Sequence, residues 1–374
     1  MISSKPAALA YIGLVAALAT AIQLAEPSAK AFDEAVVQKI CRVATELDKI
    51  SSVALQKQEA LIKEVKAAYE AELIAFLAAE AEDDANASTL YKAAAAAAGT
   101  CGAAAAAELE ELQKVALLAT VNAGKATGAI NEFVDFLIAV STGGTTGTCL
   151  AAVGGNPSGT NANTRLGCTP TSTADITPTA GTNTEVLDKT GYKELSSNGD
   201  GSNAQASTKY RLLKAVSAGS ATNLWQTNTE SPHLTMFVFL EETAHNSAGT
   251  TAINKQKLNS IAESWEKQNP STAPEKLFNA IGNLIKAEYD GCGQTKDEIL
   301  AHVIGKGKEA QLITSVRKGA KLTDKTSEND YGTAALLDSV AGDSKNKAEK
   351  IKTKIDSLPV TQVQADKTAE KNKN

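Results

Sequence analysis

Two long segments early in the chain carry apolar residues at alternating steps of four and three, the spacing of helices packed as a coiled coil. In the first segment, residues 32–82, the series is Val36, Ile40, Val43, Leu47, Ile50 and Ala54, then Leu61, Val65 and Ala68. In the second, residues 89–141, it is Ala105, Leu109, Leu112, Ala116, Ala119, Ala123, Ala126, Ile130, Phe133, Leu137 and Val140. The pattern predicts two long helices, each with one narrow apolar face. The register of the first series falters at Lys57 and Gln58.

A polar break at residues 83–88 separates the two segments, and Ser88 can cap the helix that follows. A turn there leaves arms of nearly equal length, so each apolar face is covered by the other. A turn at the glycine-containing stretch 99–102 would leave a long unmatched stripe in water. We therefore predict an antiparallel hairpin that turns at 83–88, with Gly99 and Gly102 forming a local break inside the second helix.

The rest of the chain changes character after the second arm. Gly, Thr, Ser and Asn dominate up to residue 203, which predicts irregular loops with a few short strands within the region 142–250. Residues 234–240 form the best buried-strand candidate. Helical patterning predicts helices at 207–218, 250–268, 274–289, 296–304 and 331–358, the last four belonging to a region of returning helices at 251–365. The charged tail 366–374 has no pattern and is predicted to be a linker.

Composition supports a mainly α fold. The 374 residues are 43% hydrophobic but only 4% aromatic, and much of the apolar content is alanine, which suits closely packed helices. The net charge of −6 argues against a nucleic-acid-binding protein, which needs a basic surface.

The N-terminus has the pattern of a secretory signal peptide. Lys5 provides the positive start, residues 7–25 are almost wholly apolar, and Ala29-Lys30-Ala31 fits the small-x-small cleavage rule. We predict a signal peptide at residues 1–31 with cleavage after Ala31, and earlier cleavage after Ala21 or Ala25 is the alternative. The apolar run is also long enough for a transmembrane helix to compete with this interpretation.

The sequence offers no constellation of residues for catalysis. Its three histidines, at 233, 245 and 302, are scattered, and the stretch 241–245 lacks the paired histidines of an HExxH zinc site. We therefore expect no enzyme activity, no cofactor and no metal site.

Two features point to extracellular chemistry. Asn86-Ala87-Ser88 is an N-glycosylation sequon, the only one in the sequence, and it lies in the predicted turn. The five cysteines include no CxxC pair, so a secreted chain is expected to form two disulfides and leave one thiol.

Several short motifs, in this order and spacing, are similar to a known family. They are Cys-Arg-Val-Ala-Thr-Glu-Leu at 41–47, the matched helix pair, Thr-Cys at 148–149, Gly-Cys at 167–168 and Leu-Asp-Lys-Thr-Gly-Tyr at 187–192. The chain resembles the N-terminal domain of trypanosome variant surface glycoproteins of class A, over residues 32–365.

The resemblance implies a rod-shaped homodimer with a loop-rich head at one end of the hairpin and a smaller second lobe. It implies a coat on the parasite surface that shields the membrane from host antibodies by antigenic variation, with loops 142–203 and 244–251 as the antigenic face. A glycosylphosphatidylinositol anchor on a further C-terminal domain, absent from this sequence, would hold the protein at the cell surface. The alternative is a related helical surface receptor that binds a host serum protein.

The resemblance also bears on the disulfides. It implies a bond between Cys41 and Cys168. The same architecture puts Cys101 near the turn of the hairpin, where the second lobe offers Cys292 as a partner. Cys149 is left unassigned, and a Cys149–Cys168 bond with Cys41 unpaired is the competing scheme.

Overall fold

The computed structural model describes residues 30–141, 148–152, 156–157, 166–168, 176–195, 204–206, 213–214, 225–226, 233–235, 239–243, 252–255, 258–265, 267, 269–305, 333–342 and 346–357. Contacts divide the chain into two compact units. Unit 1 comprises Met1–Ser51, Ala119–Ile176 and Gly181–Asn283, and unit 2 comprises Ser52–Leu118, Thr177–Ala180 and Leu284–Asn374.

Helices make up most of the described chain. They are α1 (Glu34–Asp48), α2 (Ile50–Ala81), α3 (Ala85–Ala139), α4 (Ala273–Lys286), α5 (Lys296–Ile304), α6 (Thr333–Ala341) and α7 (Lys347–Ser357), with a 3-10 turn at Ala262–Trp265. The prediction of a mainly α chain built on two long helical arms is confirmed. The first arm is α1 and α2, separated only by Lys49, and the second is α3, which is about 80 Å long at 1.5 Å per residue.

The turn between the arms is shorter than predicted, because Asp84 caps α3. Its Oδ1 accepts a hydrogen bond from the backbone N of Ala87 at 2.8 Å, which satisfies one of the free N–H groups of the first helical turn. Ser88, the predicted cap, instead donates its hydroxyl to the carbonyl of Ala79 at 2.7 Å. The connection is therefore residues 82–84, and Asn86 lies in the first turn of α3.

The predicted apolar series forms the buried face of the long helices. All of its members are buried except Val65, Leu109, Phe133 and Val140, which are partly buried. In unit 1 the α1 and α3 backbones also come close enough for the Thr127 hydroxyl to donate to the carbonyl of Ala44, at 3.3 Å. In unit 2 the facing positions are almost all alanine, including Ala68, Ala71, Ala75, Ala94 and Ala98.

The predicted break at Gly99 and Gly102 is wrong, because α3 runs through both residues. A Cβ on Gly102 would lie 3.2 Å from the Cβ of Ala68, and one on Gly99 would lie 2.8 Å from the Glu72 carboxylate. Gly102 therefore serves the close approach of α2 to α3, where packing outweighs its weak helix propensity, whereas the contact at Gly99 is with the movable end of the Glu72 side chain.

The described strands are short and belong to unit 1. They are β1 (Lys30–Asp33), β2 (Leu150–Ala152), β3 (Asn156–Pro157), β4 (Leu187–Asp188), β5 (Gly191–Tyr192), β6 (Ala204–Ala206), β7 (Leu213–Lys214), β8 (Trp225–Gln226), β9 (His233–Thr235), β10 (Leu240–Thr243) and β11 (Ala252–Lys255). The first sheet has the order β3-β2-β1-β7-β8, with β6 also paired to β1. A second sheet has the order β11-β10-β9, and β4 and β5 form a hairpin.

The hairpin β4–β5 carries the Leu-Asp-Lys-Thr-Gly-Tyr motif and anchors the aromatic core of unit 1. Gly191 has a φ of +148°, and a Cβ there would lie 2.3 Å from the carbonyl oxygen of Leu258, so only glycine fits. The fully buried Tyr192 packs its ring against Phe239 and Phe278, at centroid distances of 5.2 and 5.6 Å.

The returning segments match the predictions in part. Helices predicted at 274–289 and 296–304 are α4 and α5, and the one at 331–358 is divided into α6 and α7 after Gly342, whose φ is +67°. The helix predicted at 250–268 is wrong: Ala252–Lys255 pairs with β10, and the described residues that follow contain a 3-10 turn at Ala262–Trp265.

Other predicted segments are described only in part. The strand predicted at 234–240 has its two ends in β9 and β10, and the helix predicted at 207–218 contains β7. Residues 1–29, 244–251 and 366–374 lie outside the described residues, as does most of 142–203.

Candidate functional site

Unit 1 is closed by a disulfide between Cys41 on α1 and Cys168, with an S–S distance of 1.97 Å and a Cα–Cα distance of 4.9 Å. Both cysteines are buried. Cys149 lies outside the disulfides and is fully buried, and its backbone carbonyl accepts from the N of Phe32 at 3.0 Å. The structure thus joins the pair that the resemblance implies.

Polar contacts near this disulfide hold a loop of unit 1 to α1. The carboxylate of Glu46, only 5% exposed, accepts from the backbone N of Asn183 at 2.7 Å and from Nζ of Lys49 at 2.6 Å. Arg42 forms an ion pair with Glu194 at 2.9 Å. These contacts put residues 183–194 beside the motif at 41–47.

Unit 2 is also closed by a disulfide, which joins Cys101 on α3 to Cys292 with an S–S distance of 1.92 Å and a Cα–Cα distance of 6.1 Å. It joins the second pair of cysteines that the sequence analysis proposes. The buried carboxylate of Glu64 on α2 accepts from the backbone N of Cys292 at 2.5 Å. The segment before α5 is therefore fixed to both long helices.

Lys57, which interrupts the apolar register of α2, binds the C-terminal end of α4. Its Nζ donates to the carbonyl oxygens of Ile285 and Ala287 at 3.1 and 2.9 Å, which satisfies carbonyls that α4 leaves free. Burial lowers the pKa of Lys57, and the charge of Glu288 partly offsets this effect. Lys57 therefore interrupts the apolar pattern of α2 because it caps α4.

One group of potential metal-ligating atoms occurs in the described residues, formed by Cys101, Cys292 and His302 within 4.8 Å of one another. The two sulfurs are bonded to each other, and a disulfide sulfur is not the thiolate that zinc requires. The arrangement is therefore a disulfide with a histidine beside it.

Two groups in unit 1 whose pKa values are strongly shifted also have structural explanations. Hydrogen bonds from the side chain and backbone of Ser271 and from the backbone of Thr272 lower the pKa of Glu275 to about 2, at the start of α4. Burial raises the pKa of Tyr192 well above its usual value. The first is a helix cap and the second a core residue.

An apolar stripe lies on the solvent side of α2, within unit 2. Ile62, Tyr69, Leu73 and Phe76 are exposed by 38, 54, 58 and 50% and follow one another at steps of seven, four and three. A cavity of about 610 Å³ lies beside the last three, lined also by Glu72, Lys92, Ala95 and Ala96. We call these four apolar residues the α2 stripe. This stripe was not predicted from the sequence, although its spacing is a second coiled-coil series on the same helix.

The remaining predicted positions are placed as follows. Asn86 is exposed on the first turn of α3, and Ala31 lies in β1 and is fully buried. No helix among the described residues is both long and apolar enough to cross a membrane.

Comparisons with known proteins agree with this architecture. Residues 12–373 match the family described as trypanosome variant surface glycoprotein (A-type). A sequence comparison with curated proteins finds no match. Among solved structures, the chain is similar to one described as "Structure of MITat 1.1", with a TM-score of 0.59, 16% identity, and coverage of 88% of this chain and 87% of that chain. At this identity the structural likeness shows the fold alone, whereas the family match spans nearly the whole sequence. The chain belongs to the A-type trypanosome variant surface glycoprotein family and is a surface-coat glycoprotein.

Proposed function

We propose that the protein acts physically rather than catalytically, as a spacer in a dense layer that shields the parasite membrane from host antibodies. The observation that carries the proposal is the family match over residues 12–373. The described residues support it, because the buried Glu46 and Glu64 hold loops to the long helices and Lys57 holds the end of α4. A scaffold held by a narrow alanine-rich seam tolerates many surface substitutions, which antigenic variation requires.

Family membership also supports a proposal for the domain division. We propose that residues 32–365 are the N-terminal domain, 366–374 the linker, and that a further domain carries a glycosylphosphatidylinositol anchor. Phospholipase C specific for this anchor should release the protein from intact parasites. A protein that stays with the cells after treatment, while a known anchored protein is released, would contradict the anchor.

We propose that the chain forms a homodimer in which the α2 stripe contributes to the contact. Its four exposed apolar residues keep the heptad steps of a helix that packs against another helix, and they leave a groove beside them. A second copy offers the same apolar surface, as a two-fold interface requires.

The variant Leu73→Glu tests this contact, because it puts a charge into the centre of the stripe. Gln56→Glu is the control, since it adds the same charge at an exposed position of α2 away from the stripe. Light scattering coupled to size exclusion should show a dimer for the control and a shift toward monomer for Leu73→Glu. Equal dimerisation of both variants would exclude the stripe from the interface.

We also propose that Asn86 carries an N-linked glycan. Its side chain is exposed on the first turn of α3, next to the hairpin connection. Treatment with a glycosidase that removes N-glycans should lower the mass of the wild type and leave that of Asn86→Gln unchanged. A wild-type mass that does not respond would show an unoccupied site.

The receptor alternative finds no support in the comparisons, which match the coat family. A receptor would bind a specific host serum protein saturably. For a coat protein we expect high abundance at the cell surface and no such ligand.

A further inference from the structure

We infer that the mature chain keeps Lys30 and Ala31, and that signal peptidase cuts after Ala21 rather than after Ala31. This inference rests on the proposed function, because a protein of the cell surface requires the secretory signal that the sequence predicts at its N-terminus. It goes beyond that function by assigning the processing site, and it replaces the site predicted from the small-x-small pattern at 29–31.

The first observation is the position of β1 in its sheet. Its backbone pairs with β6 through Lys30↔Ala206, Ala31↔Gln205 and Phe32↔Ala204, and with β2 on its other side. The register with β7 consists of one pair, Lys30↔Leu213, and β8 joins the sheet only through β7.

Cleavage after Ala31 would therefore remove two residues of β1 that pair with β6 and β7. β6 would keep one of its three paired positions on β1, and β7 would keep none. Backbone N–H and C=O groups that the strand now satisfies would be left without their partners. The order β2-β1-β7 would no longer be connected through hydrogen-bonded strands.

The second observation is the environment of residues 31 and 32. Ala31 is fully buried and packs in a small core cluster with the equally buried Ala151. Phe32 is 3% exposed, its ring lies 5.9 Å from that of Phe133, and its backbone N donates to the carbonyl of Cys149.

Cleavage after Ala31 would convert the backbone N of Phe32 into a charged amino terminus. An α-amino group has a pKa of about 8, so it is largely protonated at neutral pH. The described structure offers this nitrogen one carbonyl in a buried position, and an ammonium group buried without further partners is strongly unfavourable. Both observations require a start at Lys30 or upstream of it.

The sequence selects the site among the upstream alternatives. Ala19-Thr20-Ala21 places small residues at both positions that signal peptidase reads, and it leaves an apolar core of ordinary length after Lys5. Cleavage after Ala25 would place Gln23 at the position that must be small, and cleavage after Ala29 would place Pro27 there.

N-terminal sequencing and intact-mass measurement of the protein released from parasites test the inference. The expected first residue is Ile22. A start at Ala31 or beyond would overturn the inference, and a start between Gln23 and Lys30 would support retention of β1 but overturn the assignment to Ala21. A protein that still begins at Met1 would instead contradict the secretory signal of the proposed function.

Two matched variants separate the competing sites. Ala21→Leu should move the amino terminus, because leucine is too large for the cleavage position, whereas Ala29→Leu should leave it at Ile22. The opposite pattern would assign cleavage to Ala31.

A stability comparison gives a readout independent of the peptidase. Two full-length mature chains can be produced behind a foreign signal peptide, one starting at Ile22 and one at Phe32. The chain that starts at Phe32 should melt several degrees lower, because it lacks half of β1. Equal melting temperatures would mean that residues 30 and 31 do not contribute to the sheet, which would overturn the inference.

Discussion

The close approach of α2 and α3 at Gly102 makes a quantitative prediction. Gly102 and Gly128 both lie in the interior of α3, but their surroundings differ. A Cβ on Gly102 would be 3.2 Å from the Cβ of Ala68, whereas a Cβ on Gly128 would have no atom within 4 Å. Gly128→Ala is therefore a matched control for Gly102→Ala, because both changes bring the same gain in helix propensity.

The two variants should differ in their effect on stability. In an exposed helix interior, replacing glycine by alanine stabilises by about 1 kcal/mol, which is the full effect expected at Gly128. At Gly102 the same gain is opposed by overpacking, which costs typically 1–3 kcal/mol. The adjacent Cys101–Cys292 disulfide limits how far α3 can move away. We expect Gly102→Ala to be between neutral and about 2 kcal/mol less stable than the wild type.

Urea unfolding followed by circular dichroism at 222 nm, with the disulfides intact, measures both changes. The midpoint should rise for Gly128→Ala and stay unchanged or fall for Gly102→Ala, with similar slopes. An equal rise for both variants would refute the close approach of α2 and α3 at this point.

Two further predictions concern pH and covalent structure. Because the pKa of Glu275 is lowered to about 2 from 4.5, its carboxylate stabilises the protein above pH 4.5, and this contribution disappears as the pH falls to 2. The melting temperature of Glu275→Gln should be below that of the wild type at pH 7 and equal to it at pH 2, and a difference that persists at pH 2 would contradict this assignment. Peptide mapping without reduction should recover Cys41 linked to Cys168 and Cys101 linked to Cys292. Any other linkage would contradict these two disulfides.

The long helices were predictable because their signal is local. Apolar steps of four and three locate the buried face directly, so residues such as Ile40 and Leu112 were placed correctly. The apolar pattern does not show whether a glycine lies inside a helix or interrupts it. Gly102 has poor helix propensity, and only the position of Ala68 on another helix explains why it belongs inside α3.

Long-range pairing explains the remaining failures. Residues 252–255 have a helix-like pattern, but they form β11 because β10 offers a matching edge. Lys57 interrupts the apolar series in the sequence. Its role as a cap depends on the end of α4 lying nearby. The buried state of Ala31 likewise depends on strands more than a hundred residues later, which no cleavage rule considers.

The central claim is that this protein forms a dense coat, and its abundance at the cell surface tests that claim most directly. Quantitative mass spectrometry of surface-labelled parasites that express the chain would give its copy number relative to all other surface proteins. We expect it to be the predominant surface protein by a wide margin. A copy number comparable to that of ordinary surface receptors would contradict the coat.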